Sequence, residues 1–165
     1  MRKNTEIYIR NITFGVTDSL VSTVGLLAGI DISGTTSHIV IMTGIVYAFV
    51  EAFSMAVGSF LSEESVEEYA VLGEVTGAKA FTSGIIMFLS FILASFIPIL
   101  PYMFFGFAAA FWFSILFSII ALFIVGVIAA KVSHVPVGKH ALKMVVLGGA
   151  AIVIGVLVGK FIKAA

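Results

Sequence analysis

The chain has 165 residues, of which 61% are hydrophobic and 11% charged, and its mean hydropathy is +1.21. A composition this apolar excludes an ordinary water-soluble domain and favours a membrane protein. The nine basic and nine acidic residues cancel, so no excess of positive charge points to nucleic acid as a partner, and the lack of cysteine excludes disulfides and thiolate metal sites.

Five apolar stretches are long enough to cross a bilayer, because about 20 helical residues span roughly 30 Å of hydrocarbon. They lie near residues 12–30, 39–61, 80–100, 102–130 and 141–162. A segment in lipid must pair its own backbone polar groups, so we expect helices, in one all-α transmembrane domain covering the whole chain. Pro98 and Pro101 predict a tight turn that ends the third helix and begins the fourth.

The basic residues indicate an orientation, because Lys and Arg concentrate on the cytosolic side of membrane proteins. With five spans, most of them fall on the side of the N-terminus: Arg2, Lys3, Arg10, Lys79, Lys131, Lys139 and Lys143. Only Lys160 and Lys163 fall on the other side. The sequence therefore predicts a cytosolic N-terminus. The compact chain and short N-terminal segment favour the cell membrane of a prokaryote, with an organelle membrane as the alternative.

Asp18 lies inside the first span, where a carboxylate costs about 2.5–3.5 kcal/mol on insertion scales. Such a group faces a cavity or an ion, or it bonds to a neighbouring helix. Four small residues share its helix face at spacings of three and four: Gly15, Ser22, Gly25 and Gly29. We expect this stripe to pack closely against another helix, and to form the interface with a second copy of the chain.

Glu51 lies in the second span, and Met55 follows it one helical turn later. A carboxylate oxygen beside a thioether sulfur suits a late first-row divalent ion better than calcium or magnesium, which prefer oxygen ligands alone. The alternative is that Met55 only fills space between helices. The pair therefore makes the first two spans a candidate metal site.

The segment 62–79, predicted as a connection, carries acidic residues at helical spacing: Glu63, Glu64, Glu67 and Glu68. Their charge could draw metal ions to the mouth of the second helix, or they could be a solvated helix end without a ligand role. The sequence shows no Ser–His–acid arrangement, phosphate-binding loop or histidine pair at metal-binding spacing. We therefore expect neither an enzyme nor a bound cofactor.

Several segments resemble the vacuolar iron transporter family. They are residues 12–22 around Asp18, residues 52–62 around Met55, the proline-rich segment 97–102 and the glycine-rich segment 148–151. The resemblance implies a homodimer of five-helix protomers that exports ferrous iron, and often manganese, from the cytosol in exchange for protons. It implies that Asp18 and Met55 bind the transported metal. A membrane assembly protein that transports nothing is the alternative function.

The chain departs from the family pattern in two places. The glutamate that the family usually carries two turns before the methionine is replaced here by Tyr47, so Glu51 would be its spatial substitute. Eukaryotic members also insert a glutamate-rich domain that collects metal between the second and third helices. Only residues 62–79 stand in that place, so the resemblance implies a compact form.

Overall fold

The computed structural model describes residues 2–73 and 75–164, and these form five helices. The helices are α1 (Arg2–Ile32), α2 (Ser37–Val71), α3 (Ala78–Phe104), α4 (Phe107–Val132) and α5 (Val137–Ala164). Each is long and apolar enough to cross a membrane, and the described residues contain no strand. The prediction of an all-α membrane protein with five spans is confirmed.

The helices alternate in direction, so the bundle has two ends. We call the end where α1 begins the near end. At the near end, α2 and α4 finish and α3 and α5 start. The turns from α1 to α2 and from α3 to α4 lie at the opposite end, which we call the far end.

The core is built around α1 and α3. α3 packs against α1, α2 and α4, and α1 also packs on α5. Phe91 of α3 is fully buried in a cluster with Leu27 of α1 and Ala52 of α2. A second cluster joins Leu20 of α1 to Leu122 of α4. Many large apolar side chains are exposed on the outside of the bundle, as expected where lipid replaces water as the solvent.

The tight turn predicted at Pro98 and Pro101 is wrong, because α3 continues through both prolines to Phe104. A proline lacks the N–H that bonds to the carbonyl four residues earlier, but membrane helices tolerate this where neighbouring groups bond to the local backbone. Both prolines are buried among the neighbouring helices. Ser114 of α4 donates a hydrogen bond of 2.8 Å to the carbonyl of Pro98, which ties this part of α3 to α4. The chain turns instead at residues 105–106.

α2 is longer than predicted, since it ends at Val71 and not near residue 61. The acidic segment is therefore mostly helix, and residues 72–77 alone connect α2 to α3. A helix of 35 residues is about 52 Å long, which exceeds the roughly 30 Å of hydrocarbon. The last turns of α2 consequently project beyond the membrane at the near end.

The glycines of α1 pack within the chain. A Cβ atom on Gly29 would lie 2.7 Å from the carbonyl oxygen of Gly155, and one on Gly155 or Gly159 would collide with the α1 backbone. Gly25 and Gly29 thus admit α5 at close range, while Gly15 packs on α3. The prediction that Gly25 and Gly29 meet a second copy is wrong, because α5 of the same chain already occupies that face.

Candidate functional site

α1 and α2 pack on α3 more than on each other, so their facing sides are joined less tightly. Asp18 of α1 and Glu51 of α2 are both half-buried there, and their carboxyl groups are close enough to repel each other. The hydroxyl of Tyr47 lies near both carboxyl groups and faces that of Ser22. We call these four residues the acidic cleft. It gathers oxygen atoms at the middle of two spans.

The acidic cleft is suited to exchanging cations. Two ionised carboxylates repel strongly at low dielectric constant, and either a proton or a divalent cation relieves that repulsion. The Ser22 hydroxyl donates a hydrogen bond of 2.6 Å to the backbone carbonyl of Asp18, four residues earlier. Its proton is thereby directed to its own helix, and the lone pairs of its oxygen are left for a neighbour.

A cavity of about 680 Å³ lies between the acidic cleft and the near end. We call it the vestibule, and it is lined by Arg10, Asn11, Phe14, Ser54, Met55, Gly58, Ser59, Ser62 and Met87. Met55 stands at its inner end, one turn from Glu51, and also packs against the core. The thioether of Met87, from α3, lines the same space. Two methionines and three serines thus line the space between the near end and the two carboxylates.

Asn11 fixes the wall of the vestibule. Its side chain is buried and donates hydrogen bonds to Ser59 of α2, at 3.1 Å, and to the carbonyl and the hydroxyl of Ser83 of α3. Ser59 and Ser83 also bond to each other at 3.0 Å. One amide therefore holds three helices in register just outside the acidic cleft.

The near-end acids form ion pairs instead of an open cluster. Glu63 is only 4% exposed and binds Arg10 of α1 at 3.2 Å and Lys79 of α3 at 2.8 Å. Lys79 also binds Glu67 at 2.8 Å. Glu64 and Glu68 lie on the adjoining face of α2, and neither is ion-paired in the described part of the chain. The structure therefore does not bring the four acids together.

A comparison with protein families matches the chain to the model of the VIT family over residues 9–72 and 67–160. The two matched parts together cover nearly the whole chain. The chain belongs to the VIT family. No individually curated protein gave a significant match. Membership assigns the chain to a family of membrane transporters for metal ions. The two parts of the match overlap at residues 67–72, at the end of α2.

Within this VIT protein, the structure joins some of the predicted site residues and separates others. Asp18 and Glu51 lie within electrostatic range of each other in the acidic cleft, and Met55, one turn after Glu51, lines the vestibule. The four near-end acids lie beyond the vestibule. Among residues 2–73 and 75–164, no three His, Asp or Glu side chains gather closely enough to hold a metal ion.

Sequence reasoning missed Asn11, Ser59 and Met87 as parts of the site. A signal was present for two of them. Asn11 precedes Asp18 by seven residues, or two turns, and Ser59 follows Met55 by one turn, so each shares a helix face with a predicted ligand. Met87 gave no such signal, because its position depends on how α3 is rotated against α1 and α2.

Proposed function

We propose that this protein exports divalent transition metal ions, ferrous iron first and manganese second, from the cytosol in exchange for protons. The observation that supports the proposal is that Asp18 and Glu51, each near the middle of its helix, lie within electrostatic range of each other, with Met55 one turn after Glu51. A carboxylate pair binds the charge of a divalent ion, and a thioether favours the softer first-row metals over calcium and magnesium.

Proton exchange follows from the same pair. A metal ion binds the ionised form of a carboxylate, so loading the cleft with metal releases any proton that it holds. Protons entering from the opposite side then displace the metal. One pair of carboxylates can thus couple the two flows without a separate proton pathway.

A homodimer supports this function better than a single chain. Asp18 and Glu51 are only partly buried within one chain, and charged groups exposed within a span would otherwise meet lipid. One copy offers two carboxylates, whereas a transition metal takes four to six ligands. A second copy facing the cleft across a two-fold axis would cover the carboxylates and double the number of ligands.

The proposed direction depends on orientation. The excess of Lys and Arg at the near end favours a cytosolic near end. The vestibule and the ion pairs of α2 would then face the cytosol, and the far end would release metal outside the cell. We place the protein in the cell membrane, and we propose no enzymatic activity.

Purified protein in liposomes tests the proposal directly. We expect uptake of Fe²⁺ and Mn²⁺ to be driven by a pH gradient, to be accompanied by opposite proton movement, and to exceed uptake of Mg²⁺ and Ca²⁺. Uptake of Co²⁺ and Zn²⁺ is measured in the same liposomes, so that the transition metals can be ranked. If no divalent metal moves in either direction, the protein is not a transporter, and the alternative of a membrane assembly protein replaces this proposal.

A further inference from the structure

A second cavity at the near end lies apart from the acidic cleft. It measures about 630 Å³ and is enclosed by the first turns of α1, the end of α4 and the start of α5. Its outer rim carries polar side chains, among them Arg10, Ser133 and His140. Farther from the rim, the wall combines apolar side chains, among them Phe14, Ala129 and Met144, with the two threonines Thr13 and Thr17. The wall is therefore polar at the rim and mostly apolar farther from it.

The surroundings of this cavity are positively charged. All acidic residues of the chain lie in its first 74 positions, so the corner formed by α4 and α5 contains none. Three exposed lysines flank it at the near end: Lys131, Lys139 and Lys143. The start of α5 adds the partial positive charge of a helix N-terminus. The last carbonyls of α4 accept hydrogen bonds from the backbone of residues 133–135, which offsets their opposite charge.

Two carboxylates lie close enough to the cavity to offset part of its positive charge. Glu6 is on the rim, one turn before Arg10 on α1. Glu63 binds the Arg10 guanidinium at 3.2 Å, but the Arg10 side chain remains 63% exposed. Arginine has five N–H donors, so the contact with Glu63 leaves others free. The arginine and the three lysines therefore outnumber the two carboxylates, and the positive charge around the cavity remains in excess.

From this geometry we propose that the cavity binds an anionic phospholipid from the leaflet at the near end. The phosphate lies on the rim between Arg10, Ser133 and His140, and an acyl chain follows the apolar wall inward. Basic pockets between membrane helices suit anionic headgroups in this way, and each nearby Lys or Arg adds to the attraction. The lipid would join α1 to the α4–α5 corner, and α1 also carries Asp18.

Native mass spectrometry of the detergent-solubilised protein, with phosphatidylglycerol or phosphatidylcholine added, measures this binding. We expect phosphatidylglycerol to be retained in preference. The double variant Lys139→Gln/Lys143→Gln should reduce its retention by about five-fold or more, since each lysine near an anionic lipid is worth roughly that factor. The matched control is Lys160→Gln/Lys163→Gln, which removes the same charge from the other end of α5 and should leave retention unchanged. Equal losses in both double variants would overturn the proposal.

A second variant distinguishes a lipid in the cavity from general surface charge. Thr13 lines the cavity on α1, so Thr13→Phe should fill it and reduce phosphatidylglycerol retention while all lysines remain. Thr82→Phe, on an exposed near-end face of α3, is the matched control and should have no effect. Unaltered retention in Thr13→Phe, at an unchanged unfolding temperature, would contradict the proposal. So would equal displacement of the lipid by free glycerol phosphate, because the site would then bind any soluble phosphate.

Discussion

At the scale of single residues, Asp18 differs from the other aspartate of α1 by what it faces. Asp18 faces Glu51 across the acidic cleft, whereas Asp31 lies near the far end beside the hydroxyl of Tyr102. Asp18→Asn keeps the side-chain volume but removes the charge, so we expect metal flux and the coupled pH change to fall to the level of empty liposomes. Asp31→Asn is the matched control and should retain both. Proton-driven metal flux in Asp18→Asn would refute the exchange mechanism.

Met55 carries no charge, so its role should appear in the choice of metal. Met55→Leu keeps the packing volume and removes the sulfur, and should weaken uptake of Fe²⁺ and Co²⁺ more than that of Mg²⁺. Its stability should change by less than about 1.5 kcal/mol. Met42→Leu, on an exposed face of the same helix, serves as the control in a competition assay with paired metals. An unchanged order of metals in Met55→Leu would leave Met55 as a packing residue only.

At the scale of helices, Glu63 joins α1, α2 and α3 at the near end. Glu63→Gln leaves Arg10 and Lys79 without this carboxylate, so it should lower the free energy of unfolding by about 1–2 kcal/mol. The effect is smaller than for a fully buried ion pair because the Arg10 side chain is exposed to solvent. Glu68→Gln removes an exposed charge of the same helix that has no ion-pair partner among the described residues, and should change stability by less than about 0.5 kcal/mol. Thermal unfolding in detergent compares the two. Equal effects would mean that the ion pairs contribute nothing to holding the helices together.

The helices also show which features the sequence could predict. Hydropathy and length identified all five spans, because a lipid solvent demands long apolar helices. The same reasoning was wrong about the end of α2, where the acidic residues suggested a connection and not a helix. In the structure Lys79 of α3 pairs with Glu63 and Glu67, and this pairing could not be read from the sequence. The reasoning from sequence also misread Pro98 and Pro101, since the packing that buries both prolines inside one continuous helix is known only once the helices are assembled.

The candidate site was predictable only in part for a related reason. Asp18 and Glu51 stood out because charge is rare within a span, and their helix faces could be read from spacing. Which residues of the other helices pack near Asp18 and Glu51 depends on how each helix is rotated in the bundle. The glycines of α1 illustrate the limit, because their spacing predicts close packing but does not identify α5 as the helix that fills it.

At the scale of the whole molecule, the five spans place the two ends of the chain on opposite sides of the membrane. The chain has no cysteine, so single cysteines can report sidedness without background. We expect a cysteine at Ser133, in the near-end turn between α4 and α5, to react with impermeant maleimide only after the cells are opened. One at Thr36, exposed in the far-end turn between α1 and α2, should react in intact cells. The reverse pattern would turn the proposed export into uptake.

The last prediction concerns the second copy of the chain. If two acidic clefts face each other across a two-fold axis, residues beside Glu51 on the exposed face of α2 lie near their own counterparts. Ser54 is exposed and lines the vestibule next to Met55, so Ser54→Cys should form a covalent dimer in membranes with a short bis-maleimide. Ile124→Cys, 50% exposed on α4, is the control and should stay monomeric.

Added metal should make this experiment more decisive. An ion that takes ligands from both copies would hold the clefts together, so Fe²⁺ or Mn²⁺ should increase cross-linking of Ser54→Cys, and the further change Asp18→Asn should remove that increase. Cross-linking that ignores metal would indicate a dimer whose two sites act separately. Cross-linking of Ile124→Cys with none of Ser54→Cys would place the interface on α4. The second copy would then not shield the acidic cleft from lipid, and the proposed arrangement of the dimer would be wrong.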